Sequence, residues 1–69
     1  MRFDIYGRFS VEVIREEGAW TVYRLGDGKR RREHELVVPS SLAADEIATY
    51  LDDLLHELAH PGGAIRRLD

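Results

Sequence analysis

Residues 39–63 read PSSLAADEIATYLDDLLHELAHPGG, and the rest of the chain is arranged around this stretch. Its signals agree on one amphipathic helix. Ser40 and Ser41 follow Pro39 and are placed to cap a first turn, where a serine oxygen accepts from free backbone N–H groups. Asp45 and Glu46 bring negative charge to the positive end of the helix dipole. Pro61, Gly62 and Gly63 end the helix, since proline lacks the N–H and glycine favours the terminating conformation. At about 100° per residue, Ile47, Leu51, Leu54 and Leu58 fall within a narrow arc. Ala44, Ala48, Tyr50 and Leu55 widen it to a face suited to packing on a sheet. Leu51 and Leu54 are therefore expected in the core, where truncation of either to Ala costs about 2–5 kcal/mol.

The same stretch contains His56-Glu57-Leu58-Ala59-His60, a match to H-E-x-x-H. In zinc peptidases this spacing puts two histidine ligands on one helix face, with the glutamate activating metal-bound water. The resemblance to zinc metallopeptidases covers these residues alone. Gly63 stands where the longer metzincin-type pattern has its glycine, but the third-ligand position holds Arg66, which does not bind zinc. His56 and His60 also lie about 180° and 220° around the helix from Ile47, on the side away from the apolar stripe. Two solvated histidines on an acidic helix are the expected outcome, with zinc-dependent hydrolysis through His56 and His60 the least favoured reading.

The chain has 69 residues, of which 43% are hydrophobic and 33% charged. That describes one small globular domain spanning residues 1–69 rather than a disordered tail. A chain of this size buries only about 60% of its unfolded surface, so tidy packing or self-association is needed for stability. There is no cysteine, so neither disulfides nor thiolate metal sites are available. No apolar run approaches membrane-spanning length, and the N-terminus lacks a signal peptide's apolar segment, so a cytoplasmic protein is expected. Nothing in the pattern asks for a cofactor. Charge is uneven along the chain. Residues 1–40 carry 8 basic and 7 acidic groups, residues 41–60 carry 5 acidic and no basic group, and residues 61–69 carry 2 basic and 1 acidic group. The helix is thus an acidic surface that repels phosphate and suits a basic protein partner.

Upstream, residues 2–15 alternate. Phe3, Ile5, Phe9, Val11 and Val13 occupy odd positions, which predicts a strand with one buried face. A two-residue hairpin loop at Gly7-Arg8 would set Asp4 opposite Val11, so one long strand bent at Gly7 is expected. Glu16-Glu17-Gly18 reads as a turn, and residues 19–25 as the second strand. Its register is open between two choices, one facing Thr21, Tyr23 and Leu25 inward and the other, preferred because Trp20 is so large, facing Trp20 and Val22 inward. Gly26-Asp27-Gly28 is a second turn. Lys29, Arg30, Arg31 and Arg32 follow it as a basic loop, and residues 33–38 form a short edge strand. Residues 64–69 pack back on the domain through Ile65 and Leu68.

The expected architecture is α+β, a three-stranded antiparallel β-meander followed by one C-terminal helix on a sheet face (β-β-β-α). The opposite face is then open and carries Tyr6, Ile14 and part of the second strand's aromatic set, a surface suited to homodimerisation. FDIYGRF, VYRLGDGKRRR and DEIATYLDDLLHELAHPG together resemble short uncharacterised bacterial proteins of the domain-of-unknown-function kind, a resemblance that implies no activity, ligand or catalytic residue.

The favoured function is a non-enzymatic interaction or regulatory module, homodimeric, that meets a protein partner through Asp45, Asp52, Asp53 and Glu57. The alternative is nucleic-acid binding through Lys29, Arg30, Arg31 and Arg32, with Tyr6 and Tyr23 available for stacking. Against that alternative stand the net charge of −3 and the acidic Glu33 and Glu35 just after the basic run.

Overall fold

In the computed structural model, which describes residues 1–59 and 61–69, three residue–glycine pairs fold the first half of the chain back on itself. Tyr6-Gly7, Glu17-Gly18 and Asp27-Gly28 all have positive φ, at 54° and 72°, 51° and 78°, and 51° and 73°. A tight hairpin that matches the right-handed twist of its strands needs the left-handed conformation at both central positions. Glycine adopts it freely. The residue before each glycine does so at a cost of about 1–2 kcal/mol, offset by the pairing that follows.

These turns join β1 (Arg2–Ile5), β2 (Phe9–Glu16), β3 (Ala19–Gly26) and β4 (Lys29–Arg32). The helical segment comes next, and then β5 (Ile65–Arg67). The strand order is β4-β3-β2-β1-β5, with every neighbouring pair antiparallel. The fold is α+β, but it is a five-stranded sheet with its helix inserted before the last strand, not a three-stranded meander with a C-terminal helix.

Three local features separate this sheet from a three-stranded meander. The single strand expected over residues 2–15 is a hairpin whose loop has an odd number of residues. It pairs Phe3 with Val11 and Ile5 with Phe9, so the odd-numbered apolar residues stay on one face. A two-residue loop breaks that alternation; a loop over residues 6–8 preserves it. Next, the basic run is a strand rather than a loop. The turn at Asp27-Gly28 pairs Gly26 with Lys29 at once, then Leu25 with Arg30, Arg24 with Arg31 and Tyr23 with Arg32. Residues 33–38 are not a strand: they leave the sheet after Glu33 N–H donates to Val22 O at 2.8 Å. Lastly, the tail adds β5 beside β1, with Ile5 opposite Ile65. Between β2 and β3 the register is the one that faces Trp20 and Val22 inward, with Val13 opposite Val22 and Arg15 opposite Trp20.

The helical segment carries the chain from the β4 edge across one sheet face to the β5 edge. It consists of a 3₁₀ turn (Ala44–Glu46), α1 (Ile47–Leu55) and a second 3₁₀ turn (His56–Leu58). It starts later than the serines suggested. Ser40 O accepts from Arg15 Nη1 at 2.9 Å and Leu42 O from Trp20 Nε1 at 2.9 Å, so residues 40–42 are held down along the sheet. The cap comes from Glu46, whose Oε1 accepts the Ala43 N–H at 2.9 Å. The core lies between α1 and the sheet: Phe3, Ile5, Tyr6, Val11, Val13, Val22, Val38, Ile47 and Leu51 are all buried.

Three expectations about faces fail here, the first at Leu68, which is 55% exposed rather than packed back on the domain. Leu54 is 45% exposed and Leu58 39% exposed, so neither is core. Leu54 lies on the flank of the stripe and Leu58 past the end of α1. Tyr6 is buried rather than on the open face, because its left-handed backbone turns the ring under the helix.

Candidate functional site

The helix presents its acidic side chains on two different flanks. Asp45, Asp52, Asp53 and Glu57 are all exposed. Asp45, Glu46 and Asp53 line one shallow groove of about 370 Å³ with Leu42, Thr49 and Tyr50. Asp52 lies on the other flank, in a groove of about 260 Å³ beside Gly63, Ala64 and Ile65. The structure therefore brings Asp45 and Asp53 together and separates Asp52 from them.

Asp52 also has a structural task. The Tyr6 hydroxyl donates to its carboxylate and lies 3.3 Å from its carbonyl oxygen. Burial first, and the bond to Asp52 second, push the Tyr6 phenol up to about 12. Tyr50 OH donates to Val37 O at 2.9 Å, and Arg8 Nε donates to Leu58 O at 2.7 Å, satisfying a carbonyl at the helix end. What remains on the outer flank is a ridge. Leu54 and Leu58 stand one turn apart, and Asp53 and Glu57 precede them at the same spacing.

His56 is exposed, and its Nδ1 lies 3.0 Å from Asp53 O. His60 lies outside the described residues. Among the described residues no group of three or more His, Cys, Asp or Glu side chains is gathered as a metal site.

A second surface runs along β4. Lys29, Arg30, Arg31 and Arg32 are all exposed at the sheet edge. Arg30 is neutralised: its Nη1 lies 3.0 Å from Glu12 Oε1, and its guanidinium stacks on Tyr23, 4.3 Å from the ring centre. Glu12 also meets Arg2 Nε at 3.6 Å. The hydrogen bond from Arg30, chiefly, holds the Glu12 carboxyl below its ordinary value. Tyr23 OH donates to Glu16 Oε1 at 2.9 Å, and this bond is the main cause that raises the phenol. Arg24 stacks on Phe9 at 4.0 Å and lies 4.0 Å from Glu33. Lys29, Arg31 and Arg32 have no ion-pair partner among the described residues.

Sequence reasoning missed the ridge of exposed leucines because a helical wheel shows a stripe's direction but not how much sheet lies beneath it. It also missed the Tyr6–Asp52 contact, for which the one available signal was the Tyr-Gly pair, a turn signature of the same kind as Glu17-Gly18 and Asp27-Gly28.

A five-stranded antiparallel sheet with one helix on one face, and charge of opposite sign on its helix and its β4 edge, defines a small α+β domain. The chain belongs to the family described as Domain of unknown function (DUF7661), which matches it over residues 1–69. No curated protein and no solved structure matches the chain. Among the described residues, no helix is long and apolar enough to cross a membrane.

Proposed function

We propose that this domain is a non-enzymatic protein-binding module that uses the exposed acidic flank of its helix. The exposed ridge of Leu54 and Leu58 carries the reading. What sets these two apart from the more exposed Val37 and Leu68 is that they stand one turn apart beside acidic residues, as a short apolar strip with charge along its edge. The flanking charges, Asp53 and Glu57 on the ridge and Asp45 and Glu46 in the adjoining groove, select a basic partner. A segment with leucine-like residues on one side and Lys or Arg on the other fits this surface, with apolar contact for affinity and charge for orientation.

The proposal extends to a cytoplasmic homodimer formed through the open sheet face, where Ile14, Tyr23 and Leu25 are half-buried. The β4 edge is basic, so two copies repel along it, whereas the open face carries both signs of charge.

The test is capture of partners from host lysate with nuclease present, comparing the native chain with a variant carrying Leu54→Ser, Asp53→Lys and Glu57→Lys. These positions are exposed, so circular dichroism should be unchanged while capture is lost. Equal recovery by the native chain and the variant would rule out the helix face. A monomer mass by light scattering at high protein concentration would remove the dimer.

A further inference from the structure

The β4 edge carries a separate inference, independent of the helix reading. A two-residue turn closes on a hydrogen-bonded pair, here Gly26 and Lys29. Pairing then alternates, so Lys29 and Arg31 bond to β3, as does Glu33 through its N–H to Val22 O. Arg30 and Arg32 fall between them, and their N–H and C=O groups point away from the sheet. The edge is therefore an unpaired template for another strand.

The charge on this template is unbalanced. Lys29 and Arg31 share a face with Arg24, while Arg30 and Arg32 share the opposite face with Tyr23. A groove flanks the edge on each side. One, of about 340 Å³, is lined by Arg24, Lys29 and Arg31 among others. The other, of about 530 Å³, reaches inward over the open face and is lined by Glu12 as well as Arg2, Lys29 and Arg30. Successive side chains of an added strand would point alternately to the two faces, towards Lys29 and Arg31 on one and Arg32 on the other.

We infer that β4 takes up an extended acidic peptide by strand addition, with main-chain bonds to Arg30 and Arg32 and carboxylates against Lys29, Arg31 and Arg32. A second copy of this chain is disfavoured on the edge because antiparallel pairing of β4 with itself sets cation against cation. A single-stranded nucleic acid fits less well. It offers nothing to the outward N–H and C=O ladder as a whole, and the Tyr23 ring on which a base would stack is already covered by Arg30.

The experiment uses the full chain and a fluorescent peptide of about eight residues in which Glu-Glu pairs alternate with Thr or Val, so that an extended strand carries carboxylates on both faces, read by anisotropy at moderate salt. Binding should weaken about tenfold or more with Arg31→Glu plus Arg32→Glu, and by a similar factor when alternate peptide nitrogens are methylated, which spares charge but removes strand pairing. Arg32→Pro provides a second protein variant. It deletes one outward N–H without touching the bonds to β3, so it should weaken binding while the circular dichroism of the domain is kept. No binding of the acidic peptide overturns the proposal and leaves the edge cations as a guard against aggregation. Indifference to N-methylation also overturns it, since that reduces the contact to charge alone. Tighter binding of a short oligothymidylate than of the peptide would overturn it in favour of nucleic acid. The substitutions at Leu54, Asp53 and Glu57 should leave peptide binding unchanged, so this proposal and the helix reading fail separately.

Discussion

Replacing Tyr6 with Phe removes the hydroxyl that ties the first turn to Asp52 of the helix. The ring is 3% exposed and packs in the core, and Phe keeps that packing and the same left-handed backbone. Only the hydroxyl is lost, and with it the bond to the Asp52 carboxylate and the longer contact to its carbonyl oxygen. A hydrogen bond to a charged group contributes about 1.5–3 kcal/mol. Asp52 is exposed and regains water in the variant, which brings the expected loss to about 1–2 kcal/mol. In a domain of this size that lowers Tm by about 4–16 °C. Urea titration followed by Trp20 fluorescence measures it, and a double-mutant cycle with Asp52→Ala separates the bond from other effects. The pH dependence follows with a definite sign. Tyr6 is held protonated to about 12 in the folded chain, above its ordinary 10.0. Its contribution is complete below the unfolded value and is lost as pH rises through the folded one. The native chain should therefore lose stability between those values in a way the Phe variant does not. Equal stability of the two proteins at neutral pH, or identical alkaline profiles, would refute this account of the helix anchor.

Three further outcomes test other parts of the structure. Leu51→Ala should cost about 2–5 kcal/mol by chemical denaturation and Leu54→Ala less than about 1, because the first is fully buried and the second is not. Glu12 sits between Arg2 and Arg30, and its carboxyl should titrate below its ordinary 4.5 by carbon-detected NMR. Its contribution to stability is present above the ordinary value and fades as pH falls through the lowered one, and Glu12→Gln should abolish that part of the acid profile. At Gly18 a Cβ would meet no atom within 4 Å, so Gly18→Ala carries a purely conformational cost, expected at about 1–2 kcal/mol from the left-handed φ. A neutral substitution there would show that the turn relaxes.

Much of the fold was legible one element at a time. Alternation at Phe3, Ile5, Phe9, Val11 and Val13 identified the inward face, because strand periodicity is a property of the backbone and survives any loop that keeps parity. Ile47 and Leu51 marked the helix stripe for the same kind of reason. The turns at Glu17-Gly18 and Asp27-Gly28 were also local signals, since few residues adopt positive φ. The charge of the helix and of residues 29–32 needed no structure at all. Each of these depends on neighbours within one element, and the chain's order supplies them.

What the tertiary structure decided was every pairing between distant segments. Whether residues 64–69 merely cover the core or add a strand depends on an open edge at β1, which no local pattern reports. Whether Leu54 is buried depends on how much sheet lies under the helix. Lys29, Arg30, Arg31 and Arg32 read alone as a solvated loop, because four consecutive cations have poor strand propensity. They become an edge strand because the turn at Asp27-Gly28 fixes the register and β3 supplies the partner. Asp52 likewise reads as one more surface acid until the turn at Tyr6-Gly7 brings a buried phenol beneath it. The sequence by itself determined the faces and the charges of this domain. Which faces meet, and which charges stay free for a partner, was decided by contacts between residues far apart in the chain, because a hydrogen bond or a buried contact exists only once both of its groups have been brought together.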